Sequence, residues 1–484
     1  MLDFLRFPVG FWLSLIVLLG VAGWGWRNRL RGWGLPTLAV CLTTIAWYHW
    51  DAIYNDYLQT YAQDFPPKVL TEAWLQVALF ALALGGFISF LPDLINAKYR
   101  GSTSQVEALR SGRHSLASIK LPIEGLAKAL AVVWLVTFGV ALWRTGGDVL
   151  GLAAPYLGRM AYPWARGQIA QSWLDSLATF FWTISTLCAA LFGVCAAWLK
   201  PGGARNLMLF LMAVSWPGFF LDRTRNVMLT VLLPGLLAFT FFRWRGRRLL
   251  QITLLIVSFL AVNAWFRFVI ANRSEGEIIS AVVDKSQRAE GAAREVKHLG
   301  SNMFEELCWL NYFIDERRLT PANGRLYLAN LVNPIPRALW PGKPTMGLDY
   351  SVLRGQSGDD ASGVSATMCV GMIGSGLINF GQVFGPVAAG FLMALWCALL
   401  ARLDLNDQDL WELPVYLIGL VLTFNFGRDI TFLVAYPFLF AFGLLWLWRR
   451  IAPAALAVGK PALAARRRPK RQHGRRPQGR IRSS

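Results

Sequence analysis

Apolar residues along this chain come in long unbroken runs rather than in stripes. The runs cover positions 8–26, 35–50, 73–91, 123–143, 173–199, 206–221, 227–242, 249–268, 383–403, 413–426 and 430–448. Each lies near the ~20 residues that a helix needs to cross the hydrocarbon of a bilayer. None alternates apolar with polar over about ten positions, as a strand of a membrane β-barrel does. The pattern predicts an all-α polytopic membrane protein of about eleven spanning helices. A further stretch, 364–380, is apolar but rich in Gly and Ser, and reads as a re-entrant segment or a twelfth span. Asp3 and Arg6 make a poor basic leader and no A-x-A site follows the first run, so that run reads as an uncleaved helix. Trp24, Trp26, Trp47, Trp50, Trp143, Trp446 and Trp448 stand at run ends, where an interfacial belt places them.

Composition agrees. Hydrophobic residues make up 55% of the 484 positions and charged residues 16%, against about 25% charged in soluble domains. That excludes a disordered chain and an ordinary soluble enzyme. Six cysteines are too few for a disulfide scaffold, and no CxxC occurs. Cys308 and Cys369, outside the runs or at an edge, are the pair that an oxidising compartment would allow to join.

The net charge of +20 is uneven. Residues 449–484 hold twelve Lys/Arg and no Asp or Glu, leaving +8 for the rest. This tail has the composition of a disordered segment, and its expected partner is anionic lipid; nothing else in the chain supports a nucleic-acid partner. Basic residues in short connections set the orientation. Arg27, Arg29 and Arg31, then Lys98, Arg100, Arg110, Arg113 and Lys120, then Arg243, Arg245, Arg247 and Arg248 all fall on the side of the tail. That side is expected to be cytoplasmic, with the N-terminus outside. The acidic stretch 404–412 falls on the cytoplasmic side against the trend, although acidic residues weigh little in this rule.

The chain thus divides into 1–268 with eight spans, a polar outer segment 269–363, a third region 364–448 and the tail 449–484. Long loops are uncommon unless they work. The outer helix ends carry unexpected cations. Asp222-Arg223-Thr224-Arg225-Asn226 is the whole connection between spans six and seven; Arg267 ends span eight, Arg273 follows it, and Arg428-Asp429 joins the last two spans. Snorkelling to headgroups is one reading. Convergence on an anionic substrate is the other, since guanidinium pairs with phosphate bidentately and stays charged. In the outer segment, Asn333-Pro334-Ile335-Pro336-Arg337-Ala338-Leu339-Trp340-Pro341-Gly342-Lys343-Pro344 is stiffened by four prolines and presents Arg337, Trp340 and Lys343, an aromatic face with two cations that suits a sugar phosphate. Gly381-x-x-x-Gly385 permits close helix packing. Acid–base candidates are Asp222, Glu305, Glu306, Asp359, Asp360 and His298. No metalloprotease, Walker or nucleophile-elbow motif is present, and no ligand set for a metal or other cofactor is evident.

Three features carry a resemblance: the arginine turn Asp222–Val227, the loop Pro336-Arg337-Ala338-Leu339-Trp340-Pro341-Gly342-Lys343-Pro344, and Ile378-Asn379-Phe380-Gly381 before a glycine-rich helix. Together with the helix layout they resemble the oligosaccharide repeat-unit polymerases, the Wzy-type O-antigen and exopolysaccharide polymerases. Where that family often has an acidic residue shortly before Asn-Phe-Gly, this chain has Ser375 and Gly376.

The resemblance implies a GT-C-like membrane glycosyltransferase at the outer face of a bacterial plasma membrane. Its substrate would be a polyprenyl-diphosphate-linked oligosaccharide. An acceptor hydroxyl would attack the anomeric carbon, and polyprenyl diphosphate would leave. Arg223, Arg225 and Arg337 are then expected on the diphosphate, with Asp222 or His298 as base. Lys343, Trp340, Arg267, Arg273, Asn379 and Arg428 are expected to bind substrate. A flippase and a chain-length regulator of the same pathway are the protein partners implied, and no metal. A glycan ligase of similar fold and a transporter of anionic lipid-linked sugar remain open. A transporter needs mid-membrane charge, and only Lys128, four residues after Glu124, approaches that.

Overall fold

The computed structural model describes residues 7–55, 57, 60–99, 101–111, 123–157, 160–164, 173–221, 225–244, 247–271, 303–332, 335, 340, 342, 344, 348–354, 369–405, 412–430 and 432–451. Among them every regular element is helical and none is a strand. Six helices are long and apolar enough to cross a membrane: Val9–Arg27, Pro67–Ile95, Ile123–Arg144, Phe180–Trp198, Gly203–Leu221 and Gly371–Leu405. Shorter apolar helices accompany them at Val227–Arg243, Leu249–Val262, Leu413–Phe426 and Pro437–Trp448. The helix limits follow the apolar runs because an apolar helix satisfies its own backbone and needs no water.

The bundle opens with α1 (Val9–Arg27) and α2, which runs through Gly34–Thr44, a π turn Ile45–His49, and Trp50–Tyr54. The extra residue of the π turn aims three consecutive side chains at three neighbours. Trp47 Nε1 donates to the Phe424 carbonyl (2.9 Å), the Tyr48 hydroxyl accepts from the Ile373 amide (3.0 Å), and His49 Nε2 lies 2.9 Å from Ser14 Oγ. Next come α3 (Pro67–Ile88), α4 (Gln105–Ser111), α5 (Ile123–Arg144), α6 (Trp173–Trp198), α7 (Gly203–Leu221), α8 (Arg225–Ala238, extended by the π turn Phe239–Arg243) and α9 (Arg248–Ala271). Gly193 of α6 and Gly235 of α8 touch backbone to backbone, and a Cβ built on either would lie 2.9 Å from the other's Cα. Small residues at such a crossing replace the hydrophobic drive that lipid cannot supply.

The polar segment 269–363 contributes α10 (Met303–Asp315), α11 (Arg325–Val332) and α12 (Leu348–Leu353). α10 is held firmly in the bundle. Gln76 Nε2 donates to Asn311 Oδ1 (2.7 Å), and Asn311 Nδ2 returns a bond to Gln76 Oε1 (2.8 Å). The Asp51 carboxylate accepts the Phe304 amide (3.1 Å), satisfying one of the free donors in the first turn of α10. Stacking of Phe304 on Trp74, with ring centres 4.0 Å apart, adds an aromatic contact.

The chain then forms α13 (Gly371–Leu405), α14 (Leu413–Phe426) and α15 (Phe432–Ile451). Gly381 breaks α13, with φ 76° and ψ −175°, a conformation open essentially to glycine. In a straight helix residues 376 and 385 would be ~13 Å apart along the axis. Here a Cβ on Gly376 would fall on the Gly385 carbonyl, and one on Gly385 would lie 2.6 Å from the Gly376 backbone. The chain therefore reverses at Gly381, and 371–380 is a short arm folded against 382–405. Ten residues rise about 15 Å, half the hydrocarbon thickness. Both ends of this arm are capped by turns next to other helices. The Gly371 and Met372 amides donate to the Arg428 and Gly427 carbonyls (2.9 and 3.2 Å), and the Ile378 and Asn379 carbonyls accept from Ala322 and Gly324 (2.8 and 3.3 Å).

Connections assigned by their charge to the cytoplasm lie together at the opposite end of the bundle. The Ser104 amide donates to the Leu30 carbonyl (2.9 Å), Arg29 pairs with Glu107 (3.3 Å), and Asn96 Nδ2 donates to the Ala398 carbonyl (3.0 Å). The buried Asp404 accepts the Val106 amide (2.9 Å) at the start of α4. An acidic residue thus stands among basic connections because it caps a helix. All six cysteines are free, so Cys308 and Cys369 do not pair.

Candidate functional site

The helices on either side of the arginine-bearing connection end near the last turns of α9. Trp216 Nε1 donates to the Ala189 carbonyl (3.0 Å) and ties α7 to α6; Trp265 Nε1 donates to the Phe220 carbonyl (2.8 Å) and ties the end of α9 to the end of α7. Arg225 is the first residue of α8, and Arg267 lies in the last turns of α9. Asn425 Nδ2 donates to Thr230 Oγ1 (3.3 Å), joining α14 to α8. Thr230 lies five residues into α8 from Arg225 and Asn425 lies three residues before Arg428, so both arginines occupy the same end of two adjoining helices. The backbone positions of Arg225, Arg267 and Arg428 thus belong to one end of the bundle, and Arg428 is exposed there. Asp222, Arg223, Arg273, His298, Arg337 and Lys343 lie outside the described residues. Trp340 is exposed.

Asn379 is buried. Its Oδ1 accepts the Leu326 and Tyr327 amides (3.1 and 3.4 Å), and its Nδ2 donates to the Ser375 carbonyl (2.8 Å). Those amides belong to the first turn of α11, whose donors have no partner within the helix. The side chain expected to bind substrate therefore also caps α11 from another part of the chain.

Ser375 lies one turn earlier on the short arm. Its Oγ bonds the Asp429 carboxylate and the Gly371 carbonyl (the latter at 2.9 Å). Burial pushes the Asp429 carboxyl up to about 6, against the bond from Ser375 and the charge of Arg428. Asp429 also acts electrostatically on Tyr327 of α11 and Tyr48 of α2. The Tyr327 hydroxyl and the Oδ1 atoms of Asn330 and Asn425 are buried without hydrogen-bond partners among the described residues. Buried polar atoms are nearly always partnered, so such a group calls for a ligand or solvent to explain it. Sequence reasoning names Asp429 only as half of a turn. Its role in the cluster depends on a contact between positions 54 residues apart.

A second acidic centre lies in the segment 269–363. Glu306 is fully buried, accepts from the Tyr350 hydroxyl and binds Arg354 through both oxygens (Nε–Oε2 3.2 Å, Nη2–Oε1 3.0 Å). Burial raises its carboxyl above the ordinary range, while Arg354 and Tyr350 oppose the rise. Arg354 stacks over Trp309 at 4.6 Å. This centre joins α10 to α12. Among the described residues no group of three His, Cys, Asp or Glu side chains is placed to hold a metal ion. Compared with known proteins, the chain matches no family model, no curated protein and no solved structure.

Proposed function

We propose that this protein is a GT-C-like membrane glycosyltransferase of eleven spans that joins polyprenyl-diphosphate-linked oligosaccharide repeat units into a surface polysaccharide. The proposed setting is the outer face of a bacterial inner membrane, with the tail cytoplasmic and a flippase and a chain-length regulator as pathway partners. The observation that carries this reading is the meeting of the Arg225, Arg267 and Arg428 positions with the Ser375–Asp429 pair at one end of an apolar bundle. A lipid diphosphate brings two negative phosphates to that depth. Cations placed where charge develops on the leaving group stabilise the transition state more than the ground state.

In this mechanism Arg223, Arg225 and Arg337 hold the diphosphate, and Lys343, Trp340, Arg267, Arg273 and Arg428 hold diphosphate or sugar. Among the described residues Asp429 is the carboxylate best placed to take the proton of the acceptor hydroxyl, because Ser375 orients it and its raised pKa suits a base working near neutrality. Asp222 and His298, the candidates for this part that the sequence suggests, lie outside the described residues. The anomeric carbon–oxygen bond to diphosphate breaks as the new glycosidic bond forms, and the acceptor proton goes to the carboxylate.

Purified protein incubated with a lipid-linked repeat unit tests the reading on a gel. A ladder of repeat numbers supports polymerisation. A single transfer to another acceptor supports a ligase instead, and an unchanged substrate opposes both.

A further inference from the structure

The short arm 371–380 holds three partners in succession. The Ile373 amide donates to the Tyr48 hydroxyl (3.0 Å), Ser375 Oγ bonds the Asp429 carboxylate, and Asn379 Oδ1 accepts the Leu326 and Tyr327 amides (3.1 and 3.4 Å). Ser375 and Asn379 stand four residues apart on one face of the arm, and Asn379 Nδ2 donates to the Ser375 carbonyl (2.8 Å). The anchor points of Asp429 and of the first turn of α11 are therefore ~6 Å apart along the arm. Tyr327 is thereby brought within electrostatic reach of the carboxylate. Arg428, next to Asp429, is exposed, so the group lies under the surface rather than deep in the bundle.

Three buried polar atoms here have no hydrogen-bond partner among the described residues: the Tyr327 hydroxyl, Asn330 Oδ1 and Asn425 Oδ1. Tyr327 and Asn330 lie three residues apart on one face of α11. Asn425 lies at the end of α14, before the turn that carries Asp429, and its amide is fixed because Nδ2 donates to Thr230 Oγ1 (3.3 Å). The two amide oxygens are acceptors only, as is an ionised carboxylate. Such a set repels an ionised phosphate, which also has only acceptors, and suits hydroxyls, each of which donates and accepts. Phenylalanine at 327 would fill the same space without burying a polar atom, so the hydroxyl there calls for a partner from outside the described fold.

We propose that Tyr327 is an acceptor-binding residue: its hydroxyl donates to the oxygen of the attacking sugar hydroxyl while that hydroxyl donates to Asp429, and Asn330 Oδ1 accepts from a neighbouring hydroxyl of the same sugar. This rests on the proposed function for the identity of the attacking group. The acceptor proton passes to the Asp429 carboxylate as the glycosidic bond forms, and Tyr327 keeps its own. The bond from Tyr327 occupies one lone pair of the acceptor oxygen, which leaves the other to face the anomeric carbon.

The test uses the full-length protein in nanodiscs and, as probe, the repeat-unit oligosaccharide released from its lipid diphosphate. Melting curves are recorded without the probe and binding is measured by calorimetry. Ligand-free Tyr327→Phe should melt no lower than wild type, because the hydroxyl it loses has no partner. Its affinity for the oligosaccharide should fall about tenfold, the loss of one hydrogen bond of ordinary strength. Asn330→Ala is the second variant and should bind more weakly in the same way. A lower melting temperature of ligand-free Tyr327→Phe, an affinity equal to wild type, or a wild type that binds no oligosaccharide overturns the proposal. The two readings fail separately. Binding that depends on Tyr327 in a protein that makes no ladder keeps the subsite and removes polymerisation, and a ladder with binding indifferent to Tyr327 does the reverse.

Discussion

Ser375 Oγ bonds the carboxylate of Asp429, joining the middle of a short helical arm to the turn between the last two helices. That bond brings an acid to a position where the short arm itself has none. It also places the acid beside Arg428, within electrostatic reach of Tyr327 and Tyr48.

If Asp429 is the base, activity depends on its ionisation, and burial has raised its pKa to about 6. Product formation should therefore decline as pH falls through about 6. Stability has the opposite slope: the folded pKa lies above the unfolded value of about 3.9, so this group's contribution is fullest below about pH 4 and is lost as pH rises through 6. Asp429→Asn should remove the acidic limb of the rate profile and lower the rate by about 10²–10⁴-fold. Rate profiles and melting curves of both proteins check the pair of slopes.

The hairpin has no room for even one methyl group. Gly376→Ala or Gly385→Ala would place a carbon inside the facing backbone, and Gly381→Ala would meet a backbone strain of about 1–3 kcal/mol. Melting temperature should fall in all three, furthest for Gly376 and Gly385. An unchanged melt for Gly385→Ala would refute the backbone contact.

Asn379→Ala leaves the Leu326 and Tyr327 amides without their acceptor, at about 1–3 kcal/mol for each buried group. Asn379→Asp keeps the acceptor and should cost less. Hydrogen exchange at residues 325–332 should accelerate most in the alanine variant. Equal exchange in the two variants would separate Asn379 from this capping role.

Orientation is checked by cysteine labelling from outside the cell. A cysteine at position 320 should label and one at position 470 should not. The reverse pattern would turn the bundle over.

Much of the fold is legible in the sequence because the bilayer leaves a helix few alternatives. The run 123–143 becomes Ile123–Arg144, and 413–426 becomes Leu413–Phe426. The hairpin is harder to read. Gly381-x-x-x-Gly385 looks like a helix-packing face, whereas the actual contact joins Gly376 to Gly385 across a reversal that depends on the positive φ of Gly381. Arginines at the helix ends away from the basic connections are visible as departures from the charge rule. The adjacency of Arg225 and Arg428 is a tertiary fact carried by Asn425 and Thr230. Glu306 is indistinguishable by sequence from its neighbour Glu305; full burial and the bond from Tyr350 set it apart, since Arg354 pairs with both.

The most direct test of the central claim is product length from purified protein supplied with a polyprenyl-diphosphate-linked repeat unit. Wild type should yield a ladder, and Arg223→Ala and Arg225→Ala should each lower its formation about a hundredfold to a thousandfold, the cost of one lost donor to a developing anion. Lysine at either position should restore only part of it. Ladders of wild-type length and rate from both alanine variants, at normal protein level, would contradict the account.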